Sequence, residues 1–367
     1  MPHSNAFQIA VLPGDGIGPE VMAPCLEVMA AVEKKVGGFA LTQSTHPAGA
    51  GHYRDHGEAL PRATIDACRK ADAILLAAMG LPSVRYADGT EITPQIDLRF
   101  ELQLYAGVRP VKTMPGLPQI LADPRAKNLD FVLIRESTEG LFATKGKGAV
   151  VSDIVATETL VITRATSERL FDFAFELART RKAIGKPGRV TCVDKANVFT
   201  SMAFFRKIFD ERATKFPDIT KDYAYVDATA LNMVRNPWAM DVLVTENMFG
   251  DILSDLGAGL MGGMGMAPSA DIGDQHAVFQ PCHGTAPDIV GQGKANPTAM
   301  FLSGAMMLDW LGAKHGSDSA RKAAALIERA VSRAYVERKL APFELGGKDG
   351  TRAITDAVLW AVGETAV

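Results

Sequence analysis

Four cysteines in 367 residues, Cys25, Cys68, Cys192 and Cys282, lie tens of residues apart with no CxxC pair. That spacing excludes a disulfide framework and a cysteine-rich metal module, and it fits a reducing cytoplasm. An excess of one charge is also missing: 39 basic against 42 acidic residues leaves −3. Nucleic-acid and membrane-surface partners normally require a basic stripe, so neither is expected. No run approaches the roughly 18 to 20 charge-free apolar residues of a membrane helix, Leu256 to Ala270 being interrupted by glycine. Met1 to Ala10 carries no basic segment leading into an apolar run, so no secretory signal is expected. What remains is an ordinary globular composition, 47% apolar and 22% charged, at a length that allows about two domains.

Short apolar runs alternate with helical patterns along the chain. Phe7–Leu12, Asp72–Met79, Asp130–Ile134, Arg189–Val193, Tyr223–Val226 and Asp241–Val244 read as strands, the near-continuous ones as parallel strands covered on both faces. Pro19–Val36, Thr166–Ile184, Ala196–Glu211, Met248–Leu256 and Ser317–Leu340 read as helices, and the alternation indicates an α/β architecture. Leu81–Gln95 is polar, with two prolines and Asp88-Gly89, and reads as a surface or active-site loop. Gly257–Pro268 is glycine-rich and reads either as a crossover between lobes or as a place of tight packing.

Several clusters carry chemistry. Gly14-Asp15-Gly16-Ile17-Gly18 follows a strand and opens a helix, but its spacing is GxGxG, and Glu33, the acidic residue nearest the expected place, falls inside the helix. It serves equally as a structural turn or a cofactor contact. Asp251 and Asp255 are four apart in a helical pattern, so their carboxylates share a face. Flanked by Ile252, Leu253 and Leu256, they suit a hard divalent cation better than a solvated acidic face, with Asp227 as a third ligand. Arg99, Arg109 and Arg135, joined by Lys195, suit a small substrate with two carboxylates, because guanidinium forks pair carboxylates bidentately. His52 and His56 are spaced HxxxH in a glycine-rich polar stretch, a poor zinc scaffold. His283-Gly-Thr-Ala-Pro-Asp288-Ile, with Asn296-Pro297 beyond, is a polar loop of the kind that wraps a nucleotide with backbone donors.

LPGDGIGPEV, LRFELQLYAGVRP, RESTEG, VDKANV, YVDATALNMVRNP, TENMFGDILSDL and HGTAPDIVGQGKANP, in that order over nearly the whole chain, resemble the isocitrate and 3-isopropylmalate dehydrogenases, the metal-dependent β-decarboxylating dehydrogenases. The resemblance implies a two-lobed α/β fold that is not a Rossmann fold, one lobe from 1–104 and 262–367 and binding NAD, the other from 105–261 and carrying the dimer contacts. It implies that Arg99, Arg109 and Arg135 clamp the malate carboxylates, and that Asp227, Asp251 and Asp255 ligate Mg²⁺ or Mn²⁺. It also implies that Lys195 and Asp227 relay the hydroxyl proton and are supplied by the partner subunit of a homodimer. His283, Gly284, Thr285, Ala286, Asp288, Ile289 and Asn296 would hold the cofactor, and Asp288-Ile289, standing where NADP-dependent relatives carry Lys-Tyr, points to NAD.

Two departures bear on the substrate. Phe142, seven residues after Arg135, stands where the family has a tyrosine thought to protonate the enolate. The segment before Arg99 reads Pro94-Gln95-Ile96-Asp97-Leu98, with Asp97 in place of one leucine that faces the isopropyl group. Asp97 and Leu98 are therefore expected to touch the substrate. The expected reaction is NAD-dependent oxidative decarboxylation of a 3-substituted malate, foremost 3-isopropylmalate to 2-oxoisocaproate, a step of leucine biosynthesis. Tartrate, D-malate and homoisocitrate are the rivals within the family, and RESTEG lies nearer the form of those relatives. A non-catalytic regulatory subunit is the rival of another class, opposed by the presence of Lys195, Asp227, Asp251 and Asp255.

Overall fold

The computed structural model describes residues 5–367. Twelve strands occur among them: β1 (Ala6–Gly14), β2 (Ala40–Thr45), β3 (Ala73–Ala78), β4 (Ala106–Lys112), β5 (Asp130–Glu136), β6 (Ala149–Val151), β7 (Val155–Thr157), β8 (Arg189–Asp194), β9 (Thr220–Tyr225), β10 (Val242–Thr245), β11 (Pro268–Ile272) and β12 (Ala277–Pro281). Ten form one sheet in the order β2-β1-β3-β12-β11-β4-β5-β10-β8-β9, while β6 and β7 pair separately. Both flanks are parallel, but β12-β11, β11-β4 and β4-β5 are antiparallel. This mixed centre distinguishes the sheet from the all-parallel classical dinucleotide-binding fold, so the expected non-Rossmann α/β class is what is observed.

The apolar runs became strands because helices cover both faces. Ile74, Leu75, Leu133, Ile134, Val190, Val242 and Val244 are all buried. The helices Gly18–Val36, Arg164–Ala183, Thr200–Ala213, Asn247–Met261 and Asp318–Arg338 lie where helical periodicity predicts them, within a few residues at each end. Leu81–Gln95 is largely irregular, with one bridge between Arg85 and Glu91, and runs into the helix Pro94–Leu102. The glycine-rich stretch is divided: Gly257–Met261 completes a helix, Gly262 caps it in the left-handed region, and Pro268 opens β11. No helix among the described residues is long and apolar enough to cross a membrane.

The parallel flank containing β5, β8 and β10 is tied at its base by charge. Asp241, buried just before β10, accepts from Arg181 Nε at 2.8 Å and from the Arg189 amide at 2.9 Å. Arg181 also donates to Asp130 Oδ1 at 3.0 Å, so one guanidinium joins the start of β5 to the start of β10. Breaking a buried pair on one side strands its partner. Asp241→Ala is expected to lower stability by about 3–5 kcal/mol; an unchanged urea midpoint would refute this.

Candidate active-site cleft

Strand register builds the site. Gly107 on β4 pairs with Arg135 on β5 to one side and with Asp271 on β11 to the other. Paired residues project from the same face, and the two-residue period adds Arg109 from β4 to that row. Gly107 keeps the row open: a Cβ there would lie 2.6 Å from Ser137 Oγ and 3.1 Å from Asp271 Oδ1. From the helix Pro94–Leu102, Gln95 and Arg99 reach the same space, four apart and hence on one helical face. From the helix Asn247–Met261 come Asp251, Ser254 and Asp255, and His283 and Gly284 close the rim of the cleft.

All three arginines are buried. Arg99 gives Nε to Asp271 Oδ2 at 3.0 Å, and Arg109 gives Nη2 to Asp271 Oδ1 at 3.0 Å. Gln280 Nε2 donates to Asp271 Oδ2 at 2.7 Å, and Ser137 Oγ donates to Oδ1 at 3.3 Å. Burial alone would raise the Asp271 pKa, but the Arg109 and Arg99 charges overcome it and hold the carboxyl down at about 2. Arg135 donates Nε and Nη2 to Asn247 Oδ1 at 3.0 and 2.8 Å and ion-pairs through Nη1 with Asp251. Burial, reinforced by Arg99, pulls the Arg135 guanidinium down to about 10.

Asp251 and Asp255 share a helix face as their spacing predicts. The Asp255 carboxyl is raised by burial and by the Asp251 charge beside it, the condition that a cation between them relieves. Arg135 meanwhile serves Asp251 as counter-ion. This hard, oxygen-only donor pair beside a cleft open to a ligand fits Mg²⁺ or Mn²⁺. Asp227 is elsewhere: exposed in the first turn of the helix Val226–Arg235, it accepts from Lys195 Nζ at 2.7 Å. Neither lines the cleft, and among the described residues no three His, Cys, Asp or Glu side chains converge within the chain. His52 and His56 lie tilted at 4.5 Å between ring centroids, with no further ligating neighbour of that kind among the described residues.

The segment before Arg99 differs from its expectation. Leu98 is buried in a core with Leu76, Leu102 and Leu104, and Asp97 lies at the surface, so neither lines the cleft. Gln95 lines it instead, and its Oε1 is buried without a partner. Phe142 sits in a short 3₁₀ turn with its ring 5.4 Å from the Arg135 guanidinium carbon. Thr144, the hydroxyl nearest in sequence, donates to the Thr159 carbonyl at 2.6 Å and is committed there.

The two glycine-bearing loops meet. The Ile17 amide donates to the Thr285 carbonyl at 2.9 Å. The Asp15 carboxylate accepts from the amides of Ala50, Gly51 and Gly80 at 2.7, 2.8 and 2.8 Å, so the GxGxG turn serves as a structural clasp. Ala286 is left-handed at φ 37°, Asp288 is exposed, and Ile289 is half-buried. His283 Nδ1 contacts the Gly284 carbonyl at 2.9 Å, and burial lowers its pKa. Asn296 is turned inward, Nδ2 donating to Glu344 Oε1 at 2.6 Å and Oδ1 accepting from the Thr298 amide at 3.0 Å.

The cleft brings three buried arginines beside paired carboxylates in a mixed α/β sheet. The profile of the isocitrate/isopropylmalate dehydrogenase family matches residues 8–358, and the chain belongs to that family. It is 42% identical over 317 residues to the 3-isopropylmalate/3-methylmalate dehydrogenase of Methanocaldococcus jannaschii, covering 86% of this chain and 89% of that one. It is 40% identical to the homoisocitrate dehydrogenase of the same organism, covering 96% and 97%. The crystal structure of isocitrate dehydrogenase from Methylococcus capsulatus superposes with a TM-score of 0.85 at 36% identity, covering 97% of this chain and 99% of that one. Family and relatives together support a decarboxylating dehydrogenase.

The clasp between the loops gives a direct check. Gly16 has φ +59°, and a Cβ there would lie 2.1 Å from the Thr285 carbonyl oxygen. Gly16→Ala is expected to cost about 1–3 kcal/mol; a melting temperature equal to wild type would show that the loops do not press on one another.

Proposed function

We propose that the protein catalyses the NAD-dependent, Mg²⁺- or Mn²⁺-dependent oxidative decarboxylation of a 3-substituted malate, with 3-isopropylmalate the leading substrate. The observation that carries this reading is the convergence of three buried guanidinium groups with Asp251 and Asp255 in one cleft. Among the described residues only Nε of Arg99 is engaged, which leaves its fork to a ligand. Arg135 supplies the second carboxylate contact, backed by the charge of Arg109, and becomes available as Asp251 and Asp255 turn to a cation. A divalent cation held there supplies Lewis acidity at the 2-hydroxyl and at the keto oxygen that follows it. Dicarboxylate and cation should therefore assist one another, because Arg135 and Asp251 each lose a partner that the other ligand replaces.

Lys195 and Asp227 form their own pair on a different face, suited to moving the hydroxyl proton once they are brought to a cleft. A homodimer does this by placing Lys195 and Asp227 of the partner subunit opposite Asp251 and Asp255. Its contact is supported by exposed apolar side chains: Val150, Ile154, Leu231, Val234 and Ile252 are 50–83% exposed. The lobes would divide as 1–104 with 262–367, and 105–261. NAD is favoured over NADP because the exposed carboxylate of Asp288 repels a 2′-phosphate.

Phe142 has no proton to give and Thr144 is engaged, so the enolate is protonated by water. General acids contribute about 10²- to 10⁴-fold, so protonation of the enolate is slower by up to that margin than with a tyrosine in place. One observation favours a second reading. The unpartnered Gln95 Oε1 in the cleft wants a donor, which the hydroxyl of a tartrate-like acid offers and an isopropyl group does not.

Purified protein with Mn²⁺ and NAD is expected to form NADH from 3-isopropylmalate, to stop with EDTA, and to be much poorer with NADP. Turnover confined to tartrate or D-malate would replace the leading substrate with the second reading, and metal-independent turnover would overturn both. Shared sites give a further expectation. Lys195→Met and Asp255→Asn variants, each inactive, recover about a quarter of wild-type activity when co-expressed, because mixed dimers keep one intact site. No recovery would contradict a shared site.

A further inference from the structure

Asp271 is a buried acid that does not itself line the cleft but bonds two of the arginines that do. It lies on β11, 1% exposed, and its two oxygens are filled by Arg99, Arg109, Gln280 and Ser137. An aspartate so placed takes up donors of Arg99 and Arg109, two of the three arginines of the cleft, that a ligand carboxylate would otherwise use. We propose that Asp271 is a positioning and specificity-determining residue that restricts the cleft to dicarboxylates by acting as a permanent internal carboxylate. The inference rests on the reading of the cleft as a hydroxy-acid site.

Two features carry it. The first is charge: Arg99, Arg109 and Arg135 bring three positive charges, and Asp271 cancels one, leaving two for a ligand. A malate with an apolar or hydroxylated C3 substituent matches that balance. One whose substituent bears a third carboxylate exceeds it and meets Asp271 as a like charge. The second is direction. Asp271 takes Arg99 side-on at Nε, so Nη1 and Nη2 point away as an open fork. Arg109 is held harder: Nη1 donates to the Ala270 and Val108 carbonyls at 2.8 and 3.2 Å, and Nη2 to Asp271. Arg109 thus presents little beyond its charge, while Arg99 presents its fork. Gln280 Nε2, donating at 2.7 Å, fixes the carboxylate that fixes them both.

Asp271→Asn keeps the shape, removes the charge and retains one acceptor; Asp271→Ser is a second neutral variant should the first fail to fold. The readout is twofold, in the full-length protein with Mn²⁺: calorimetric Kd for D-malate and for isocitrate without NAD, and kcat/KM for both with NAD. Relative to wild type, either neutral variant is expected to shift preference toward isocitrate by about tenfold or more in Kd. Weaker D-malate binding as Arg99 loses its anchor is expected to raise KM more than it lowers kcat. Equal changes for the two acids, or none, would overturn the proposal, since a merely structural Asp271 would not discriminate between them. A shift in the Kd ratio without wild-type turnover on 3-isopropylmalate, tartrate or either of these acids would refute the proposed activity and leave the role of Asp271 standing. Turnover with an unchanged ratio would do the reverse.

Discussion

The ion cluster of Arg99, Asp271 and Arg109 is the interaction on which the rest of the site depends. It forms where β4 and β11 run antiparallel, the seam at which the two parallel flanks of the sheet are joined. Three charged groups at such a seam are tolerable only because each is satisfied. Asp271 sets the direction of Arg99, and carbonyls of β4 and β11 hold Arg109. Arg135, one strand further on, is held by Asn247 and borrows Asp251. The cleft is thereby organised in its binding geometry with little left to rearrange, which lowers the cost of taking up a ligand.

Two kinds of holding coexist. The pairs with Asp271 are internal to the sheet and permanent. The pair of Arg135 with Asp251 crosses from the sheet to a helix, and half of it is exposed, with Asp251 at 51% against 6% for Arg135. That second pair is the one a cation and a dicarboxylate can divide between them. The same contrast separates Asp251 and Asp255, beside the cleft, from Lys195 and Asp227, which do not line it.

Much of the site was legible in the sequence because it is written in local spacing. Asp251 and Asp255 announce a shared helical face by being four apart, and the arginines stand at the ends of recognisable elements. Strands were legible where the run is apolar, whereas β2, mostly exposed, and the buried β4, β11 and β12, interrupted by arginine, aspartate, glutamine or proline, were not read as strands. Asp271 was missed because its partners Arg99 and Arg109 lie 172 and 162 residues away, and no periodicity reports such pairing. The one available signal was an aspartate within the short strand Pro268–Ile272, where a carboxylate needs a partner. Gln95 was missed for a more local reason. Counting back four from Arg99 along a helix opened by Pro94 selects Gln95, whereas Asp97 and Leu98 project from other faces.

The exchange at Arg135 and Asp251 couples the arginine cleft to the paired carboxylates. The decisive measurement is the affinity of the protein for Mn²⁺ with and without saturating 3-isopropylmalate, in the absence of NAD. If the acid takes over Arg135 as the cation takes over Asp251, Mn²⁺ binds about tenfold more tightly with the acid present, and the acid gains equally from Mn²⁺. Identical Mn²⁺ affinities in the two conditions would contradict the account, because the arginine cleft and the paired carboxylates would then be two unconnected features.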